Sequence, residues 1–287
     1  MARAARRPFV PRYLGVSVLL WGLLAIFGLL AVVGWIVLMV PSLSTVWTDQ
    51  SLRSTFLPPF SEGYLLGTDN LGRNFAWRLT AGIGVSVFVG VLVAVISVVL
   101  GLVIGIFAGY FGRAADAGTN VVIDVTWAFP EILLAIVLAG VLGPGLEAVI
   151  LALSLTGWAA FARIVRGEVL SLRERDDVAA SRVLGYSKVT VSVRHLLPTL
   201  LPITMVMAVY FMAVAIVAEA GLSFLGLGAQ PPTPSLGGIL AQGRDYLNSS
   251  WWPVVLAGGA LSIMVLVLNY VSDGLRDHLD PRRGVRR

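Results

Sequence analysis

Apolar residues come in long unbroken blocks along this chain, separated by short polar stretches. Residues 14–40, 82–110, 119–142, 146–165, 196–222 and 251–272 are almost wholly apolar. Each block is close to the length of about 20 residues that a helix needs to cross a bilayer. Hydrocarbon offers backbone groups no partners, so such blocks close their hydrogen bonds internally, as helices. The pattern therefore predicts an all-α, polytopic membrane protein with six spans in one membrane domain covering residues 1–287. Only 13% of the chain is charged and 57% is hydrophobic, against about 25% and about 45–50% in soluble domains.

The polar stretches decide the orientation. Residues 1–13 carry Arg3, Arg6, Arg7 and Arg12 and no acid. A secretory signal starts similarly, but its apolar core runs only about 7–15 residues. The block at 14–40 is longer than that and reads as an uncleaved first span. An even number of spans puts both termini on one side. Basic residues gather at the N-terminus, in the turn at Arg113, between Arg163 and Arg194, and in the tail from Arg276 to Arg287. The opposite side holds only Arg53, Arg73, Arg78 and Arg244. Basic loops stay inside, so both termini are expected in the cytoplasm. The turn-rich loops at 41–80 and 221–250 then face outward. The net charge of +5 follows this bias, which indicates topology and not nucleic-acid binding.

The longest inner polar stretch is Arg173 to Pro202, RERDDVAASRVLGYSKVTVSVRHLLPTLLP. It cannot sit in lipid, so it faces water or another protein. Asp176 or Asp177 is expected to cap a short helix, and Gly185 to end it in the left-handed conformation. The expected helix runs from Asp177 to Gly185 and projects from the bundle.

Little in the chain can drive chemistry. A phosphate-binding loop needs Gly-Lys-Ser/Thr, and the only lysine, Lys188, follows Ser187. There is no Cys, only His195 and His278, no HExxH and no GxSxG, which argues against zinc or serine hydrolysis. No metal site and no bound cofactor is expected. Ionisable groups inside spans are costly and often functional. Asp124 and Glu131 lie seven residues apart in one apolar block, on nearly the same face of a continuous helix. Both are candidates for lining a translocation pathway. The alternative for Asp124 is an interfacial pair with an arginine. Pro130 between them can kink the helix. Glu219 reads as an interhelix or loop-anchoring contact. Gly101 and Gly105 form a GxxxG pair suited to close helix packing in lipid.

Several motifs, in this order and at these spacings, carry a resemblance. They are LLGTDNLGRN (65–74), AGYFG (108–112), AFPEILLA (128–135), GWAAFARIVRGEVLSLRERD (157–176), AASRVLG (179–185), HLLPTLLP (195–202), AEAGLSFLGLGAQPPTPSLG (218–237) and DGLRDHLDPR (273–282). Together they resemble the shorter membrane subunit of ABC-type importers for dipeptides, oligopeptides and nickel. The polar stretch is similar to that family's cytoplasmic coupling loop, Glu-Ala-Ala followed by a glycine. Here the motif falls on Ala179-Ala180-Ser181 with the glycine at Gly185, so the glutamate is missing. The usual last aspartate of the GTD motif is Asn74, and the tryptophan of the family's PSWG is Leu236.

The resemblance implies a six-helix type I importer transmembrane domain with a cytoplasmic coupling helix, in a bacterial plasma membrane. It implies a second, different permease subunit, two cytoplasmic ATP-binding subunits that use ATP and Mg²⁺, and an extracytoplasmic substrate-binding protein. Coupling would fall on Asp176, Asp177, Ala179, Ala180, Ser181, Arg182, Leu184 and Gly185. Contact with the binding protein would fall on Gly67, Thr68, Asp69, Gln230, Pro231 and Pro232. The implied cargo is a short peptide. Nickel or another small solute is the alternative within the family, and an ion-coupled secondary carrier or a membrane scaffold the alternatives outside it.

Overall fold

The computed structural model describes residues 45–279 without a break and, before them, residues 22, 25–26, 28–36 and 39–40. About half of the expected first span at 14–40 lies outside the described residues, as do most of the basic residues of the two tails; residues 28–36 are helical. Among the described residues helices are the regular structure, joined by turns, with only isolated bridges at Ser61–Tyr64 and Thr68–Asn74. Its principal helices are α1 (Phe75–Phe111), α2 (Arg113–Ala128), α3 (Glu131–Leu142), α4 (Leu146–Leu172), α5 (Asp176–Val183), α6 (Leu197–Phe224), α7 (Leu236–Arg244) and α8 (Trp252–Leu279). Among the described residues, four helices are long and apolar enough to cross a membrane. They are α1, α4, the run from Lys188 through α6, and α8. Counting α2 and α3 together as one broken span makes five.

Local sequence sets the breaks. Asn74 caps α1, its Oδ1 accepting from Ala76 N at 3.1 Å and Trp77 N at 3.4 Å. The block at 119–142 is not one span. Its helix stops at Ala128, restarts at Glu131 after Pro130, and turns by 82° between the two. Proline supplies no N–H to the preceding turn and disfavours helix at the residue before it, and Phe129 is extended there. Asp124 and Glu131 therefore belong to different helices and share no face.

The bundle is organised on α1 against α4. Gly101, Gly105 and Gly109 form a stripe on α1 that meets Phe161, Ala162, Val165 and Val169 of α4. A methyl group at Gly105 would stand 2.7 Å from Val165 Cβ and 2.8 Å from Ala162 O, so glycine alone permits this approach. Lipid supplies no hydrophobic drive between helices, and close backbone packing takes its place. The other flank of α1, with Val95, Val99, Val103 and Phe107, is exposed, as suits a face turned to lipid. Inside, Val89 and Val93 of α1 pack with Ala152 and Leu153 of α4 and Ala215 of α6.

The Gly/Pro-rich segment at 221–250 is not all loop, as its composition suggests, but contains α7. Ser235 caps it, accepting from Gly238 N at 3.0 Å. α6 ends at Phe224, where Gly226 at φ 81° receives the turn; Gly226 N bonds Ser223 O and Leu227 N bonds Leu222 O. That pair of bonds is the Schellman arrangement.

Candidate functional site

At one end of the bundle α5 lies across the ends of the spans. Its N-cap is Arg175, with no side-chain capping bond, so neither aspartate caps it as expected. Asp176 and Asp177 occupy its first turn instead, where they favour the positive end of the helix dipole. Arg175 Nε lies 3.1 Å from Asp177 Oδ1. The helix closes at Val183, short of Gly185. Gly185 has φ 80°, its N–H bonds Arg182 O, and Tyr186 N bonds Ser181 O. This Schellman stop is the one the sequence placed at Gly185.

Two residues seat α5. Val178 is buried among Tyr110, Val165, Val169, Val191, Leu196 and Leu200. Ser181, also buried, donates to Asp177 O at 2.9 Å and lies 3.1 Å from His195 Nε2. His195 sits in a π-helical turn, Ser192–Leu196, that leads into α6. Arg182 Nη2 donates to Arg173 O and Arg173 Nη1 to Gly109 O, at 3.2 and 3.3 Å. Thus α5 is fastened to the ends of α1, α4 and α6. The outward side is free: Ala180 and Arg182 are exposed, Ala179 is half-buried, and Val183 and Leu184 are 88% and 73% exposed. Tyr186 and Val189 extend this apolar surface.

Ion pairs brace the same end. Arg166 holds Asp116 through Nε and Nη2. Arg163 Nη2 lies 2.7 Å from Asp124 Oδ1 and its guanidinium 4.0 Å from the Trp127 ring centre. Asp124 is exposed and already paired.

Glu131 is placed differently. It starts α3 and lines a cavity of about 560 Å³ with Tyr210, Val214 and Val217 of α6 and Val265 and Asn269 of α8. Thr156 Oγ1 lies 3.3 Å from Glu131 Oε1. The lining is mainly apolar, and among the described residues no lysine or arginine takes part in it.

The opposite end carries the loops. Gly67, Thr68 and Asp69 are buried, so they form the frame of the 45–74 segment and not its outer surface. Thr68 bonds Leu57 N and Ser54 O. Asp69 Oδ1 accepts from Leu71 N and Arg73 N, while Oδ2 receives Arg73 Nε at 2.7 Å and Arg78 Nε at 3.0 Å. Gln230, Pro231 and Pro232 are exposed, with Gln230 Nε2 donating to Gly226 O and Gly228 O. Glu219, fully buried, receives Ser86 Oγ at 3.1 Å and Ser223 Oγ at 2.6 Å. Ser223 Oγ in turn accepts from Ala229 N. Glu219 thus anchors the loop to α1, a function its position at the end of an apolar block already indicated.

These features define an all-α, multi-pass membrane protein with a projecting helix at one end. Comparison with known proteins is specific. The family described as binding-protein-dependent transport system inner membrane component matches residues 101–285. A peptide transport system permease protein of Brucella suis biovar 1 is 42% identical over 232 residues, covering 81% of this chain and 78% of the relative. The dipeptide transport system permease protein DppC of Alkalihalophilus pseudofirmus is 35% identical over 261 residues, covering 90% and 86%. The nickel transport system permease protein NikC of Escherichia coli K12 is 41% identical over 230 residues, covering 80% and 83%. A chain of the inward-facing MetNI methionine ABC transporter matches the fold with a TM-score of 0.57 at 21% identity, over 71% of this chain and 97% of that one. The chain belongs to the binding-protein-dependent transport system inner membrane component family. It is a permease subunit of a bacterial ABC importer, and ATP is hydrolysed on other subunits.

Proposed function

We propose that this chain is one half of the translocation pathway of an ATP-driven importer of short peptides. The observation that carries the cargo is the 35% identity to the dipeptide permease DppC over 90% of the chain. Nickel is a second reading, favoured by the 41% identity to NikC. The domain is a single six-span unit of the type I importer kind, with both termini in the cytoplasm. Its partners are a second, different permease subunit, two ATP-binding subunits and an external substrate-binding protein.

α5 is the coupling element. Its exposed end, Ala180, Arg182, Val183 and Leu184, seats in a cleft of one ATPase, and the Gly185 stop fixes the shape presented. Asp176, Asp177 and Arg182 supply charges for orientation, since charge patterns mainly steer and register an interface. Ala179 and Ser181 face inward and hold the helix on the bundle. ATPase closure then moves α5, and with it α1, α4 and α6 as one body. A ligand or partner shifts such a two-state element only through its unequal affinity for the two states. Asp124, paired with Arg163, braces α2 on α4, while Glu131 belongs to the pathway. On the outer face Gln230, Pro231 and Pro232 meet the binding protein, over a frame held by Gly67, Thr68 and Asp69.

Replacing Leu184 and Gly185 together with bulky charged residues tests the docking role. Membrane insertion is expected to persist and recovery of the ATPase by pull-down from detergent to be lost. Undiminished recovery would refute docking through α5.

A further inference from the structure

The cavity at the bend between α2 and α3 has a size and a polarity that the coupling role does not use. Its volume of about 560 Å³ lies within the range of small-molecule sites, about 300–1,000 Å³. Three elements supply its polar groups: Glu131 from α3, Tyr210 from α6 and Asn269 from α8. Val214, Val217 and Val265 supply apolar wall. Among the described residues Glu131 is the only charged one of that lining. Its neighbour is the Thr156 hydroxyl, and among the described residues no ion pair engages it. A carboxylate between apolar walls in a membrane-spanning bundle is costly unless something compensates it. The positive end of α3 compensates part of this, because Glu131 stands in its first turn. The remaining compensation calls for a positive charge. A carboxylate, an aromatic ring and an amide oxygen lining one cavity are a set of groups that receives an ammonium well.

We infer that Glu131, with Tyr210 and Asn269, forms a transit site for the cationic group of the cargo, favouring positively charged over negatively charged solutes during translocation. The inference rests on the proposed importer function and adds a charge preference located in this subunit, separate from selection by the binding protein. A peptide ammonium and a metal cation share the chemistry, and the experiment separates them.

The test uses the whole importer in proteoliposomes, with partner permease, ATPases and saturating binding protein. Maximal uptake rates are measured for Ala-Lys, Ala-Glu and nickel chloride. Saturation removes the binding protein's affinity from the comparison. The wild-type rate for Ala-Lys is expected to exceed that for Ala-Glu by about threefold to fivefold, the effect of one partly solvated ion pair. In Glu131→Gln the ratio falls to about one, and in Glu131→Asp a preference survives. Equal ratios in wild type and Glu131→Gln would overturn the inference. If only nickel chloride is taken up, a lower maximal rate in Glu131→Gln assigns the cation to a metal, and an unchanged rate again overturns it. ATPase pull-down with the same variants reads the coupling function independently. Its loss in wild type would strike the importer reading, while intact pull-down with a flattened ratio isolates the role of Glu131.

Discussion

Asp69 shows how one residue can hold a loop of a membrane protein. Its Oδ2 is shared by two guanidinium groups and its Oδ1 by two backbone N–H groups. All three side chains are buried: Asp69 is 6% exposed, Arg73 7% and Arg78 3%. Two positive charges already exceed one negative, and Gln242 Oε1 stands 3.5 Å from the Nη2 of each arginine. Removing one partner of a buried ionic group strands the other, at a cost of about 3–5 kcal/mol. Asp69→Ala is therefore expected to lower stability by about that amount, read as a clear drop in the thermal unfolding midpoint in detergent. A substitution at the exposed Gln230 should leave the midpoint within the range of ordinary surface changes. The motif GTDNLGRN was visible in the sequence, but its orientation was not. A polar motif in a turn-rich stretch is the usual composition of a surface, and only the through-space arrival of Arg78 from α1 converts Asp69 into an internal clamp. Asn74 keeps the capping role of the position because an amide oxygen accepts from N–H groups as a carboxylate does.

At the scale of elements, the apolar blocks located most helices, since bilayer thickness and backbone pairing leave little alternative. What they concealed were ends and bends. α4 runs seven residues past the expected 165, because Arg166 and Arg173 find partners at the bundle edge and need no loop. α7 was missed because LGGILAQGR has the glycine content of a loop. Its helix is held by a serine cap and by packing of Leu236 and Ile239. Pro130 announced a kink, yet its size of 82° follows from what the two arms pack against, which no local pattern encodes. The glycine stripe on α1 was legible as a pair, and the third member, Gly109, completes it in contact with Val169. Since Gly105 meets Val165 and backbone at Ala162, Gly105→Leu must push α1 and α4 apart. Overpacking of this kind costs about 1–3 kcal/mol, and the interface is too long to relieve it locally. The expected result is normal membrane insertion with a lowered unfolding midpoint, whereas Gly118→Leu, where a methyl group would meet nothing within 4 Å, should leave the midpoint unchanged.

For the whole molecule the question is where the work comes from. The sequence has no Gly-Lys-Ser/Thr and a single lysine, Lys188, so the chain cannot cradle nucleotide phosphates in the usual manner. The internal charges do not form a proton relay among the described residues. Asp116 is held by Arg166, Asp124 by Arg163, Asp69 by two arginines, and Glu219 by two serines. Glu131 faces a cavity without a cationic partner among the described residues, and one carboxyl group is a stopping place and not a chain of them. A secondary carrier builds its ion site from broken helices in paired repeats. Among the described residues one span is broken, between α2 and α3, and the other long helices run through. On the proposed reading the force enters from outside through α5, an apolar-tipped helix tied to the ends of three spans. Uptake by the reconstituted permease should therefore be absent without ATPase subunits, appear when they and ATP are added with the binding protein, and persist when an ionophore collapses the ion gradients. Gradient-driven uptake by the permease subunits alone, abolished by the ionophore, would place the energy source inside the membrane and leave α5 without a purpose.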